Sequence, residues 1–222
     1  MSSPWIETYP SLSSVTGLTH GFICRNPEID VKTDRDTAIK RLQPHYDSCF
    51  ASLNISKDQL ATGEQVHAAD IAICGAKGPA AIHFPSTDGL VTNCVGQFMG
   101  IYVADCGAVF LVDPVNKACA AVHSGKKGSE MSIAVRAIET MQQHFGSRAG
   151  DLIVQLAPCI RPPDYEIDFA AMIRSDCLAA GIPDNQFFDC GISTATDLQR
   201  YYSYRIEKGE TGRMLAVIGF HE

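Results

Sequence analysis

Three apolar runs follow one another almost without a break, at residues 98–104, 108–112 and 117–123. Only Asp105-Cys106-Gly107 separates the first two. Short apolar runs bounded by turns read as buried strands, so the middle of the chain has to fold as sheet. Further strands are predicted at residues 70–74, closed by Gly75, at 151–156 and at 214–220. Helical spacing is clearest over 129–145, where Ala134, Ile138, Met141 and Phe145 share one face and Gly146 follows as a stop. Two more helices are predicted, at 34–50, interrupted by Pro44, and at 169–180, ending at Gly181 with Pro183 beyond. Strands and helices mix without a regular βαβ alternation. That predicts an α+β fold on mixed β-sheets rather than a doubly wound sheet. There is no repeat, low-complexity tract or linker, so residues 1–222 are expected to form a single domain.

The net charge of −7 with no basic patch argues against a nucleic-acid or membrane-surface partner. No apolar run approaches a membrane span, and Met1-Ser2-Ser3-Pro4-Trp5-Ile6 lacks a signal-peptide core, so a cytoplasmic location is expected. Nine cysteines are many for such a chain. Cys24, Cys49, Cys74, Cys94, Cys119, Cys177 and Cys190 are expected as free thiols in a reducing compartment. Cys106 and Cys159 stand apart from them.

Cys106, His67 and His123 each sit in an unusual local context: Ala104-Asp105-Cys106, Gln65-Val66-His67 and Val122-His123-Ser124-Gly125. Two imidazoles and a thiolate are the ligand set of a catalytic zinc site, in which a fourth position stays open. Paired CxxC spacing, the mark of a structural zinc, is absent. Other readings exist: a core cysteine, a cysteine-type amide hydrolase with Cys106 as nucleophile and His123 as base, or a non-catalytic zinc-binding protein. A copper oxidase is disfavoured, since seven histidines are few for a blue and a trinuclear copper site. Asp105, at the end of an apolar strand, is a candidate for orienting the metal shell or shuttling a proton. Gly125-Lys126-Lys127-Gly128 before a helix suits an anion but lacks the P-loop spacing. Asp88-Gly89 reads as a turn, and residues 201–205 as a strand edge or helix face. His20, His45, His83, His144 and His221 read as ordinary hydrogen-bonded or exposed histidines.

Several segments together resemble the laccase-domain family. They are His20-Gly21-Phe22 with Arg25, Ser52-Leu53-Asn54, Gln65-Val66-His67, Thr87-Asp88-Gly89-Leu90-Val91-Thr92 and Ala104-Asp105-Cys106. Val122-His123-Ser124-Gly125, Ala157-Pro158-Cys159-Ile160 with Tyr165-Glu166, and Tyr204-Arg205 with Thr211-Gly212-Arg213-Met214 complete the series in the family's order. Members were long labelled multicopper polyphenol oxidases and are described as zinc-dependent purine nucleoside phosphorylases with adenosine deaminase activity. The resemblance implies zinc on His67, Cys106 and His123, a sandwich of mixed sheets flanked by helices, and purine nucleoside and phosphate as small-molecule partners. It also makes Arg25, Asn54 and Lys127 candidates for the substrate and phosphate side. The family's His-Ala-Gly-Trp-Arg-Gly segment is His123-Ser124-Gly125-Lys126-Lys127-Gly128 here. Lys127 therefore offers a point charge where an arginine would offer a planar fork.

Overall fold

A computed structural model describes residues 4–75 and 81–221. Their elements, in chain order, begin with β1 (Ile6–Glu7), α1 (Pro10–Ser13), β2 (Leu18–Ile23), α2 (Arg35–Ser52), β3 (Leu60–Gly63), β4 (Ile71–Ile73), β5 (Ile82–Phe84) and β6 (Gly89–Thr92). There follow β7 (Phe98–Val103), β8 (Gly107–Asp113), β9 (Ala118–Ser124), α3 (Lys126–Glu130), α4 (Ile133–Phe145), β10 (Ile153–Leu156), α5 (Phe169–Ala179), β11 (Phe187–Asp189) and β12 (Met214–Phe220).

The strands form two six-stranded mixed sheets, ordered β1-β2-β12-β7-β3-β5 and β11-β10-β8-β9-β6-β4. The predicted α+β architecture of stacked mixed sheets is the one found. Strand β8 explains why the sequence reads as continuous apolar runs. Ala108, Phe110 and Val112 enter the core shared with the first sheet, while Val109 and Leu111 enter a second core with α4 and α5. A strand covered on both faces shows no alternation. Helix α2 packs against the first sheet: Tyr46 Oη donates to the Arg213 carbonyl at 2.8 Å, and its ring meets Tyr102 at 5.8 Å.

Several expectations need correction. The helix predicted over 129–145 is two helices, because Ser132 adopts φ 53° and breaks the ladder between α3 and α4. Pro44 does not interrupt α2. Its position is exposed, as is Lys40, so the helix hydrogen bond that a proline cannot make is missing on the outward side of the helix. Residues 201–205 are neither strand nor helix but an irregular segment with Tyr201, Tyr202 and Ser203 buried. Gly89 opens strand β6 rather than a turn. No disulfide joins any of the nine cysteines. No helix among the described residues is long and apolar enough to cross a membrane.

His20 on β2 is buried, and its Nε2 accepts the Tyr9 backbone N–H at 2.7 Å. Only the neutral ring can accept there, and burial pushes its pKa down to about 4. In the unfolded chain the ring titrates near about 6.5. As pH falls between these values the unfolded state takes up a proton that the folded state does not. Stability is therefore complete above about 6.5 and declines towards 4, by up to about 3 kcal/mol from this residue. Urea unfolding at neutral and at acid pH should show that His20→Gln, which keeps an acceptor for Tyr9, flattens this part of the acid slope. An unchanged slope would mean that His20 protonates in the folded chain.

Candidate metal centre

Two loops and the end of one strand, at one end of the second sheet, carry the cluster. Cys106 lies in the β7–β8 turn, His123 near the end of β9, and His67 in the β3–β4 connection. In the β8–β9 ladder Ala108 faces His123 and Gly107 faces Ser124, so the next pair beyond the ladder brings Cys106 against Gly125. The β6–β9 ladder pairs Gly89 with Val122, which sets Asp88 beside His123. Register alone therefore assembles most of the site.

One ligand atom from each of His67, Cys106 and His123 lies within 4.8 Å of the other two. The two imidazoles meet edge to face, with centroids 4.8 Å apart. Burial opposes ionisation of Cys106, but His123 and His67 outweigh it and pull the thiol down to about 6. Burial likewise opposes charge on His123, and Cys106 and Asp88 outweigh it, raising that ring to about 9. Each of the two groups thus favours the charged form of the other. A soft anion and two imidazoles in reach of one point suit a divalent transition metal, which would replace the shared proton.

The residue that organises this arrangement is Asp88, which the sequence offered as a turn and as part of one family-like segment, with no role of its own. It is fully buried. One carboxylate oxygen accepts the His67 N–H at 3.0 Å and meets His123 Nδ1 at 2.8 Å. The other accepts the N–H groups of Val66 at 3.1 Å and Ala68 at 2.8 Å. The Asp88 carbonyl also accepts the His123 N–H at 2.8 Å. One acid therefore fixes the tautomer of one ligand, leaving Nε2 for a metal, and pins the loop that bears another, where His67 itself takes φ 60°. Burial raises the Asp88 pKa, but His123 and the amides prevail and hold it below the ordinary value.

Gly125 is constrained by the thiol. A Cβ there would lie 2.4 Å from Cys106 Sγ. Gly125→Ala should therefore push Sγ away from the imidazoles and weaken metal binding at least about tenfold while the chain still folds. Elemental analysis with circular dichroism checks this; a variant with full metal content would show that the thiol is not held where we place it.

Asp105 lies beside the cluster but is engaged elsewhere. Its carboxylate accepts from Thr194 Oγ1 at 2.7 Å, Ser203 Oγ at 3.1 Å and the Arg205 N–H at 2.7 Å. It adopts φ 80°, and so shapes the turn that presents Cys106. Arg25 pairs with Glu207 at 2.9 Å and lies over the Tyr202 ring, lining a different cavity from the cluster. Asn54 follows the end of α2 and lines another cavity with His20. Lys127 is exposed on α3, and Lys126 approaches Glu130 at 4.0 Å.

The cluster opens into a cavity of about 330 Å³ lined by Arg35, Gln65, Tyr102, Ala104, Tyr204 and Arg213 as well as His67, Cys106 and His123. Gln65 is held by the Tyr102 backbone, donating to its carbonyl at 2.6 Å and accepting its N–H at 2.9 Å. On the other side of Cys106 a smaller cavity of about 90 Å³ is lined by Ile160, Tyr165 and Phe169 with Lys126 and Arg205. Arg35 and Arg213 were missed in the sequence as residues of the cluster's cavity. The tail segment holding Arg213 was the only signal.

The model of a family described as "Multi-copper polyphenol oxidoreductase laccase" matches residues 28–171 and 165–221. The Bacillus subtilis protein named "Purine nucleoside phosphorylase YlmD" is 25% identical over 177 residues, 66% of this chain and 64% of that protein. The chain thus spans slightly under two thirds of that relative. A Deinococcus radiodurans protein named "Purine nucleoside phosphorylase" is 31% identical over 195 residues, 76% of this chain and 73% of that protein. The crystal structure of a Bacillus licheniformis hypothetical protein, YfiH, superposes with a TM-score of 0.83 at 21% identity, covering 98% of this chain and 97% of that one.

Proposed function

Since the chain belongs to the multi-copper polyphenol oxidoreductase laccase family, whose similar members carry the name purine nucleoside phosphorylase, we propose that it is a zinc-dependent purine nucleoside phosphorylase with His67, Cys106 and His123 as ligands. The observation that carries this reading is the convergence of the three ligand atoms within 4.8 Å under the control of a buried carboxylate. The second imidazole separates a metal centre from a cysteine hydrolase. A nucleophilic thiolate needs one base beside it, whereas His67 completes a three-ligand set. The donors are borderline and soft, which suits zinc.

In the reaction a phosphate oxygen bonds to the anomeric carbon of the ribose as the bond from that carbon to the purine nitrogen breaks. The purine leaves with a proton, and ribose 1-phosphate is the other product. Bound zinc would supply a fixed positive centre that polarises an oxygen of the substrate. The chain's own residues do the rest. Asp88 keeps His123 Nε2 directed at the metal, and Gly125 leaves room for the thiolate. Asp105 is a positioning residue for the Cys106 turn. The substrate side falls to the walls of the adjoining cavity rather than to Arg25, Asn54 or Lys127, none of which lines it. Adenosine deamination, the second activity that the resemblance implies, would need water at the same open position.

The test is incubation of the zinc-loaded chain with adenosine and inosine across a phosphate titration, with free base, ribose 1-phosphate and ammonia measured. Base release that requires phosphate and matches ribose 1-phosphate is expected. Turnover that is absent or indifferent to phosphate removes the phosphorylase reading, and ammonia release alone would leave deamination.

A further inference from the structure

Arg213 is an arginine nine-tenths buried, with no carboxylate in salt-bridge range among the described residues. Its Nη1 donates to the carbonyls of Thr211 at 3.0 Å and Gly212 at 2.8 Å. Nε and Nη2 have no acceptor among the described residues. Burying a guanidinium without a carboxylate partner is costly, and in this cavity Cys106 gives it only partial opposing charge. Arg35 lines the same cavity. It is set on the first turn of α2 by the Asp34 cap, which accepts from Asp36 N at 3.1 Å and Thr37 N at 3.0 Å. Among the described residues its one acidic contact is its exposed neighbour Asp36, at 3.3 Å. In a chain of net charge −7, two guanidiniums therefore face one cavity, next to the metal ligands, and repel each other until an anion arrives.

We propose that Arg35 and Arg213 form the phosphate-binding wall of the metal cavity, and that the Lys126–Lys127 loop does not. The inference rests on the phosphorylase reading and assigns its second substrate. Two planar forks suit a tetrahedral oxyanion better than two mobile ammonium groups. Lys126 faces Glu130 and the small cavity beyond Cys106, and Lys127 is exposed.

Inorganic phosphate is titrated by calorimetry into zinc-loaded wild type, Arg35→Gln, Arg213→Lys and Lys127→Ala, with zinc content and melting temperature checked for each. Both arginine variants should raise the phosphate Kd at least about tenfold, and Lys127→Ala should stay within about twofold. The reverse pattern overturns the proposal. If Arg213→Lys does not fold, Arg35→Gln carries the test, because its side chain is partly exposed on a helix turn. Adenosine 5′-monophosphate is the second probe. Free phosphate that still binds beside adenosine supports the proposal, and a site that takes the ester but not inorganic phosphate overturns it. Phosphate that binds through the arginines without base release leaves the anion site standing and removes the phosphorylase reading. Phosphate-dependent base release that ignores both arginine variants does the opposite.

Discussion

Asp88→Ala will destabilise the chain by about 4 kcal/mol and abolish tight metal binding. The carboxylate is fully buried and serves four donors: the N–H groups of Val66, His67 and Ala68, and His123 Nδ1. Removing it leaves those donors without their acceptor, and a buried imidazole without its counter-charge. Each buried unsatisfied donor costs about 1–3 kcal/mol, and breaking a buried ion pair about 3–5. Asp88→Asn is the finer test. It keeps the volume and one acceptor but presents an amide NH₂ where the native residue only accepts. The expected result is a folded protein whose metal affinity falls by about 10–100-fold, the usual effect of losing a carboxylate behind a ligating histidine. Urea unfolding and a chelator competition measure the two effects. An Asn variant that binds metal like wild type would mean that His123 is oriented without Asp88.

The second large effect is expected at Asp105. Its three carboxylate partners, Thr194, Ser203 and Arg205 N, all lie in a stretch without helix or strand. That stretch delivers Tyr204 to one cavity beside Cys106 and Arg205 to the other. Asp105→Ala should cost about 3 kcal/mol, part from three unpaired donors and part from placing alanine at φ 80°. Asp105→Asn tolerates that backbone better and should cost less. In both, limited proteolysis should open the 194–205 segment before the sheets, and kcat should fall further than metal content. Equal losses of metal and activity, with no new cleavage, would show that Asp105 acts on the ligand itself.

The convergence of His67, Cys106 and His123 was legible because its chemistry is carried by residue type. Two histidines and a cysteine at turn-flanked strand ends announce themselves, and the motif contexts placed them in one family. The role of Asp88 was not legible, although its segment was one of the family-like ones, because an acid before a glycine looks like any turn. What makes it central is contact with residues 20–22 and 35 positions away, which the β4–β6 and β6–β9 pairings bring together. Arg213 was hidden for a related reason. Charged side chains are usually exposed, so burial of this one is visible only once Tyr46 and the irregular segment before β12 close around it. Long apolar strands such as β8, β9 and β12 were readable. Strand β2 carries Thr19, His20 and Gly21, and β6 begins at a glycine, so pattern alone did not reveal them. The break at Ser132 left no mark in the apolar spacing, which continues from Ile133 in phase with one helix.

In the proposed centre Cys106, with His67 and His123, holds a metal. Cobalt(II) tests it directly, since it takes zinc sites and reports a thiolate ligand by charge-transfer absorption in the near ultraviolet. Metal-free protein titrated with cobalt should develop that band and saturate at a single equivalent. Cys106→Ser should lack the band, while His67→Ala and His123→Ala should need far more cobalt to reach it. A wild-type protein that develops no such band, or a Cys106→Ser variant that develops it unchanged, would contradict the account.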